Sequence, residues 1–178
     1  MRTLVVDLQT AHFRGFFDAD WRPLSHEVSF GHDIEGSWLT VEAASALNDV
    51  RVLEEVKALA VRMADAVWKE GVDSDYGVMN EGLDGVIVHG GKDRWPQAEA
   101  VVGLINAYEI TGDVVYLERA RFVWAFISIV DRRHGEWHGR LERTEEPKIA
   151  NRADAWNCPY HNTRACIEVI ERLRAPSR

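Results

Sequence analysis

Cysteine is scarce in this chain: Cys158 and Cys166 are the only two in 178 residues. They lie eight apart in one expected helix, where eight residues span about 12 Å, too far for a disulfide. Two thiols without a disulfide framework point to a reducing, cytoplasmic setting. Long apolar runs are also missing. No stretch reaches the roughly 20 residues that span a bilayer, and the apolar run at the start, Met1 to Asp7, is too short for a secretory signal. Positive charge is in deficit, with 21 Lys and Arg against 29 Asp and Glu and a net charge of −8. Readers of nucleic acid carry a basic stripe, so neither a nucleic-acid nor a membrane partner is expected. A phosphate-binding glycine loop and a dinucleotide fingerprint are absent as well, since Gly82, Gly85, Gly90 and Gly91 fall in a hairpin context.

The 46% hydrophobic and 28% charged content is that of a folded chain able to bury one sizeable core, so residues 1–178 are read as a single domain. Seven tryptophans are the compositional oddity. Trp21, Trp95, Trp137 and Trp156 sit in Gly-rich, charged loops rather than in apolar runs. A flat indole matches the C–H face of a pyranose; a tryptophan can equally pin a loop onto the core.

Three segments repeat one design. They are Gly31-His32-Asp33-Ile34-Glu35, Trp95-Pro96-Gln97-Ala98-Glu99 and Trp156-Asn157-Cys158-Pro159-Tyr160-His161-Asn162, with Glu35, Glu99 and Asn162 separated by 64 and 63 residues. Each opens an apolar helical pattern. A repeat of that length holds two helices and their connections, the unit of a helical toroid. Hairpins are expected over 13–24, turning at Asp18-Ala19-Asp20, and over 78–88. Helices are expected over about 33–48, 50–70, 96–111 and 115–130, with a last one starting at Pro159. The second carries an inward stripe of Leu53, Val56, Ala60, Met63 and Val67; the fourth directs Leu117, Ala120, Val123, Trp124 and Ile127 inward. The last carries Ile167, Ile170 and Leu173. Ala43, Ala44, Ala100 and Ala165 suit crowded inner helices. The fold class is therefore all-α: a partial (α/α) barrel, five helices forming an arc of a toroid, with short β-hairpins between helices.

His32 and Glu35 are three apart at a helix start and share a face. His161 lies near the third position of its helix. Unpaired N–H groups and the positive dipole end disfavour an imidazolium there. Two neutral histidines facing one cavity suit general acid and base work, although a lone histidine more commonly just satisfies backbone. Glu35 and Glu99 occupy matching repeat positions and suit sugar hydroxyls or a histidine tautomer; as first-turn acids they also have an ordinary role. A paired-carboxylate glycosidase site would use the same two residues, at a separation that sequence does not supply. Asp33 reads as a helix cap. His134-Gly135-Glu136-Trp137-His138 has the wrong order for a metal motif, and His12, His26 and His89 show no partner pattern. Cys158 reads as packing rather than as a nucleophile.

The segment Val28 to Leu39, with Trp95-Pro96-Gln97-Ala98-Glu99-Ala100 and Cys158-Pro159-Tyr160-His161-Asn162, resembles the N-acylglucosamine 2-epimerase family. Within it the likeness is to the cellobiose 2-epimerase branch, which carries Gly-His-Asp-Ile-Glu and Cys-Pro-Tyr-His-Asn. It covers nearly the whole chain and only the C-terminal half of a family member. The resemblance implies an (α/α)6 barrel and epimerisation at C2 of a reducing mono- or disaccharide, with no metal or nucleotide cofactor. It implies His32 and His161 as the acid/base pair, Glu35 as a positioning residue, and Trp95 and Trp156 as stacking surfaces. Two departures stand out: Asn157 occurs where many relatives have lysine, and Arg152 where a lysine is common. Arg94 and Arg152 are candidates to supply the cation that the missing half would bring. Closure of the ring then calls for a homodimer or a separate N-terminal half, the alternative being a carbohydrate-binding fragment without activity.

Overall fold

The computed structural model of the chain describes residues 2–130, 137, 139–142 and 158–174. In chain order its elements are α1 (Arg2–Val5), β1 (Glu27–Ser29), α2 (Phe30–Ala46), α3 (Val50–Glu70), β2 (Glu81–Leu83), β3 (Val86–His89), β4 (Lys92–Asp93), α4 (Arg94–Thr111), α5 (Val114–Val130), β5 (Arg140–Leu141) and α6 (Tyr160–Arg174). The expected all-α half-toroid with short hairpins is what forms.

Local chemistry explains most helix ends. The Asp49 carboxylate accepts from the Val52 N–H at 3.1 Å and starts α3, satisfying one of the orphan donors of a helix start. Gly71 closes it, and α4 ends at Gly112, which takes the left-handed conformation at φ 71°. That conformation suits glycine at a helix end. Helix α2 begins three residues before the expected position, at Phe30, whose N–H donates to the Asn80 carbonyl. Pro96 is the third residue of α4 rather than the first, a place where its missing N–H is still no loss. In the β2–β3 hairpin, Asp84 and Gly85 both have positive φ, 48° and 77°, as a two-residue turn matched to strand twist requires. β1 pairs antiparallel with β2, and β4 with β5. The 13–24 turn also forms, with an antiparallel bridge between Phe17 and Pro23.

Helices α2, α4 and α6 lie side by side as the inner layer, with α3 and α5 packed outside. The central helix α4 is buried without a break from Pro96 to Ala107. Gly103 shows why it needs small residues: a β-carbon there would come within 2.9 Å of the Ile34 carbonyl oxygen on α2. The main core joins Phe30 and Ile34 of α2, Ala64 and Val67 of α3, Ala100, Val101 and Leu104 of α4, and Ala120, Val123 and Ile127 of α5.

Some face assignments need correction. Trp124 is exposed, its place taken by Tyr116 and Phe126, because the α5 stripe centres on Val123. Ala43 is exposed while Ala44 is buried. Ile167, Ile170 and Leu173 are exposed, because α6 is an edge helix that packs chiefly on α4. Among the described residues no helix is long and apolar enough to cross a membrane, and both cysteines are free thiols.

Candidate functional site

The three inner helices begin at the same end of the bundle, and the repeated segments meet there. At the start of α2, the His32 imidazole is exposed; its Nδ1 lies 2.7 Å from Ser29 Oγ. Trp95, in the first turn of α4, is half-buried and packs against the rings of both His32 and His161, at centroid distances of 4.8 and 5.4 Å. Gly31 makes this possible. A β-carbon there would lie 2.4 Å from the indole Cη2 and 2.9 Å from Pro96 Cγ.

His161 stands in the first turn of α6, with Tyr160 edge-on to it. Its Nδ1 lies 2.7 Å from Glu99 Oε1. Glu99 is a carboxylate only 1% exposed, and a buried charge of that kind requires partners. It has three: His161, the Trp38 indole N–H donating to Oε2 at 3.0 Å, and the Arg164 guanidinium donating to Oε1 at 2.7 Å. The same Arg164 nitrogen donates to Glu35 Oε1 at 2.6 Å. Burial works against the charge on Arg164, but its bonds to Glu99 and Glu35 outweigh that and raise its pKa further. Beneath the site, Trp38, Ala98, Val102 and Ala165 form a small apolar floor shared by the three inner helices.

Glu35, Glu99 and His161 present ligand atoms within 4.8 Å of one another, a spacing that suits a cation. The guanidinium of Arg164 supplies the positive charge in that cluster. One guanidinium engages both carboxylates, which leaves neither free to act separately as the acid and the base or nucleophile of a glycosidase. The arrangement instead supports a carboxylate-oriented imidazole beside a second imidazole and an aromatic surface.

His32, His161, Glu35, Trp95 and Glu99 are thus brought together as the repeat pattern anticipated. Arg94 goes elsewhere: it is buried and donates to the backbone carbonyls of Trp137 and Cys158 at 3.4 and 3.3 Å. It anchors the backbone that leads into α6. Trp156, Arg152 and Asn157 lie outside the described residues, as do His134 and His138. Asp33 is not a cap. It is fully buried and accepts from His12 Nδ1 and the Phe13 N–H, both at 2.7 Å. His12, His26 and His89 all have acidic partners after all, respectively Asp33 with Glu70, Asp84, and Glu81.

Ser29, Trp38 and Tyr160 lie within the quoted motifs, which assign them no role, and Arg164 falls outside the motifs altogether. A signal existed for Arg164 too: it is three residues after His161, hence on the same helical face.

Comparison with known proteins agrees with this geometry. The family model described as N-acylglucosamine 2-epimerase (GlcNAc 2-epimerase) matches residues 2–165. The chain is 36% identical over 174 residues to a cellobiose 2-epimerase of Dictyoglomus turgidum, covering 95% of this chain and 44% of that protein. It is 38% identical over 175 residues to that of Bacteroides fragilis, covering 93% and 43%. The crystal structure of a sugar epimerase from a ruminal bacterium superimposes with a TM-score of 0.89 at 32% identity, covering 97% of this chain and 45% of that one. The chain therefore spans less than half the length of these relatives. It belongs to the N-acylglucosamine 2-epimerase family, matching the C-terminal half of its members.

Proposed function

We propose that this chain carries the catalytic wall of an aldose 2-epimerase that inverts C2 of a reducing sugar. The observation that supports the reading best is the single indole of Trp95 packed against two imidazoles, His32 and His161, at neighbouring helix starts. A sugar laid on that indole meets both rings. With its Nδ1–H donated to Glu99, neutral His161 presents an unprotonated Nε2, the lone pair of a base. In the forward direction His161 takes the C2 proton of the open-chain sugar. The C–H electron pair forms the C1–C2 double bond, and the carbonyl pair moves to O1, giving the enediolate. His32 takes up a proton from water for this step and delivers it to the opposite face of C2. The pair then resets by proton exchange with water. The resemblance places Trp156 as a stacking surface and Glu35 as a positioning residue, and Arg152 is the candidate to supply a cation in place of the missing half.

The relatives' names favour cellobiose-like disaccharides, and the Gly-His-Asp-Ile-Glu segment favours an unmodified aldose over an N-acetylated one. The remaining wall of the ring comes, in this proposal, from a second copy or from a separate polypeptide corresponding to the relatives' N-terminal half. Exposed Ile167, Ile170 and Leu173 on α6 are the surface such a wall would cover, since monomers avoid large apolar patches.

The test is incubation in D2O with cellobiose or mannose, following the C2 proton by NMR. Exchange is expected, and His32→Ala and His161→Ala should each reduce it by about 10²–10⁴-fold, the usual contribution of general acid–base groups. Exchange that persists in both variants refutes the assignment. Saccharide binding without exchange would instead favour the fragment that only binds carbohydrate.

A further inference from the structure

Arg164 has no role in the steps above, yet it touches nearly every polar group of the site. One nitrogen bridges Glu35 and Glu99 at 2.6 and 2.7 Å, and another donates to the Tyr160 hydroxyl at 2.7 Å. The guanidinium lies against the Trp38 and Tyr160 rings, 5.0 and 4.6 Å from their centroids. It also comes within 3.5 Å of His161 Nδ1.

We propose that Arg164 is the positioning residue that makes His161 a base, by keeping Glu99 ionised and so holding the imidazole in the Nδ1–H tautomer. The reasoning is electrostatic. Two carboxylates whose oxygens sit this close compete for one proton unless a cation lies between them. Glu99 is buried, and the Trp38 N–H is a neutral donor that cannot balance a charge by itself. Without Arg164, a proton would enter the cluster and settle on Glu99 or on His161. A protonated Glu99 can donate to Nδ1 and turn the lone pair away from the substrate; a protonated His161 has no lone pair to offer. The guanidinium prevents both outcomes. It is donor-only, so at 3.5 Å from Nδ1 it offers that atom no acceptor, and the Nδ1 proton has Glu99 as its partner. Stacking between two rings fixes the plane of the fork, which an ammonium would not reproduce.

The inference rests on the epimerase reading only for its consequence in turnover. Its test therefore has a second arm that needs no activity. Long-range ¹H–¹⁵N spectra, with His161 assigned by its absence in His161→Gln, report the tautomer directly. The full parent chain should show one tautomer, protonated at Nδ1, around neutral pH. In Arg164→Gln the His161 signals should shift from the neutral Nδ1–H tautomer toward the Nε2–H form or the imidazolium, because the cation that held Glu99 ionised is gone. Arg164→Lys should reverse most of that shift. In the D2O assay, Arg164→Gln should lower kcat about 10²-fold with little change in KM, as expected when positioning is lost.

A parent chain whose His161 carries its proton on Nε2 overturns the proposal, whether or not any variant folds. So does an Arg164→Gln chain whose His161 keeps the parent's neutral Nδ1–H tautomer. If the parent exchanges no sugar proton, this chain does not turn over by itself and needs its missing wall, and the spectra still decide the role of Arg164.

Discussion

Gly31→Ala separates the shape of the site from the stability of the fold. The added methyl would sit 2.4 Å from Cη2 and 2.8 Å from Cζ3 of Trp95, and 2.9 Å from Pro96 Cγ. Carbon atoms in contact prefer about 3.5–4.0 Å, so the indole must retreat by about 1 Å or more. Pro96 holds the backbone beside it, so the movement falls on the side chain. Overpacking of this kind costs about 1–3 kcal/mol. Against it stands the gain from replacing glycine within a helix, up to about 1 kcal/mol and less in a first turn. The net loss of stability should therefore lie at about 0–3 kcal/mol, visible as a fall in Tm. The loss of function should be much larger, since a 1 Å displacement of a positioning surface costs on the order of 10²-fold. Two measurements are paired: thermal unfolding, and NMR of the His32 ring protons, which lie in the ring-current field of the indole. A changed ring-current shift with a fall in Tm of that size is the expected result, accompanied by C2 exchange lowered about 100-fold. A His32 spectrum identical to that of the parent would refute the claim that Gly31 exists to admit Trp95.

Three further outcomes follow from particular contacts. Glu99→Gln keeps the shape but removes the charge shared by His161, Arg164 and Trp38; exchange should fall about 10²-fold or more and stability by about 1–3 kcal/mol, and normal exchange would refute the orienting role. Gly103→Ala places a methyl 2.9 Å from the Ile34 carbonyl oxygen, so urea unfolding should show a loss of about 1–3 kcal/mol with an unchanged m-value; an unaltered midpoint would mean α2 and α4 are not so close. At His12, burial alone would lower the pKa, but the bonds and attraction of Asp33 and then Glu70 raise it. A raised folded pKa makes this contribution complete below the unfolded value of about 6.5 and loses it as pH climbs through the folded value. His12→Asn should thus cost about 1–3 kcal/mol near pH 6 and progressively less toward about pH 9; a cost independent of pH would refute the charged contact.

The repeat length, the helix starts and the residues with chemistry were legible in the sequence because they depend on local rules. Gly71 and Gly112 mark helix ends through backbone groups within one turn. The period of 3.6 exposes the buried stripe of α3 without knowledge of its neighbours. The 64- and 63-residue spacing places His32, Trp95, Glu99 and His161 at one end of a toroid by arithmetic alone. What only the tertiary structure decided involves pairs far apart in the chain. Asp33 reads as a cap, yet its carboxylate is taken by His12 and Phe13, 21 and 20 residues earlier. Arg94 looks available to a substrate, but two backbone carbonyls 43 and 64 residues away claim it. Arg164 and Glu35, 129 apart, become partners only because α4 lets α2 and α6 pack on either side of it through small residues. Local sequence can state which atoms are donors, acceptors and charges. Which of them meet is decided by how closely the helices pack, and that distance is set by the whole core at once.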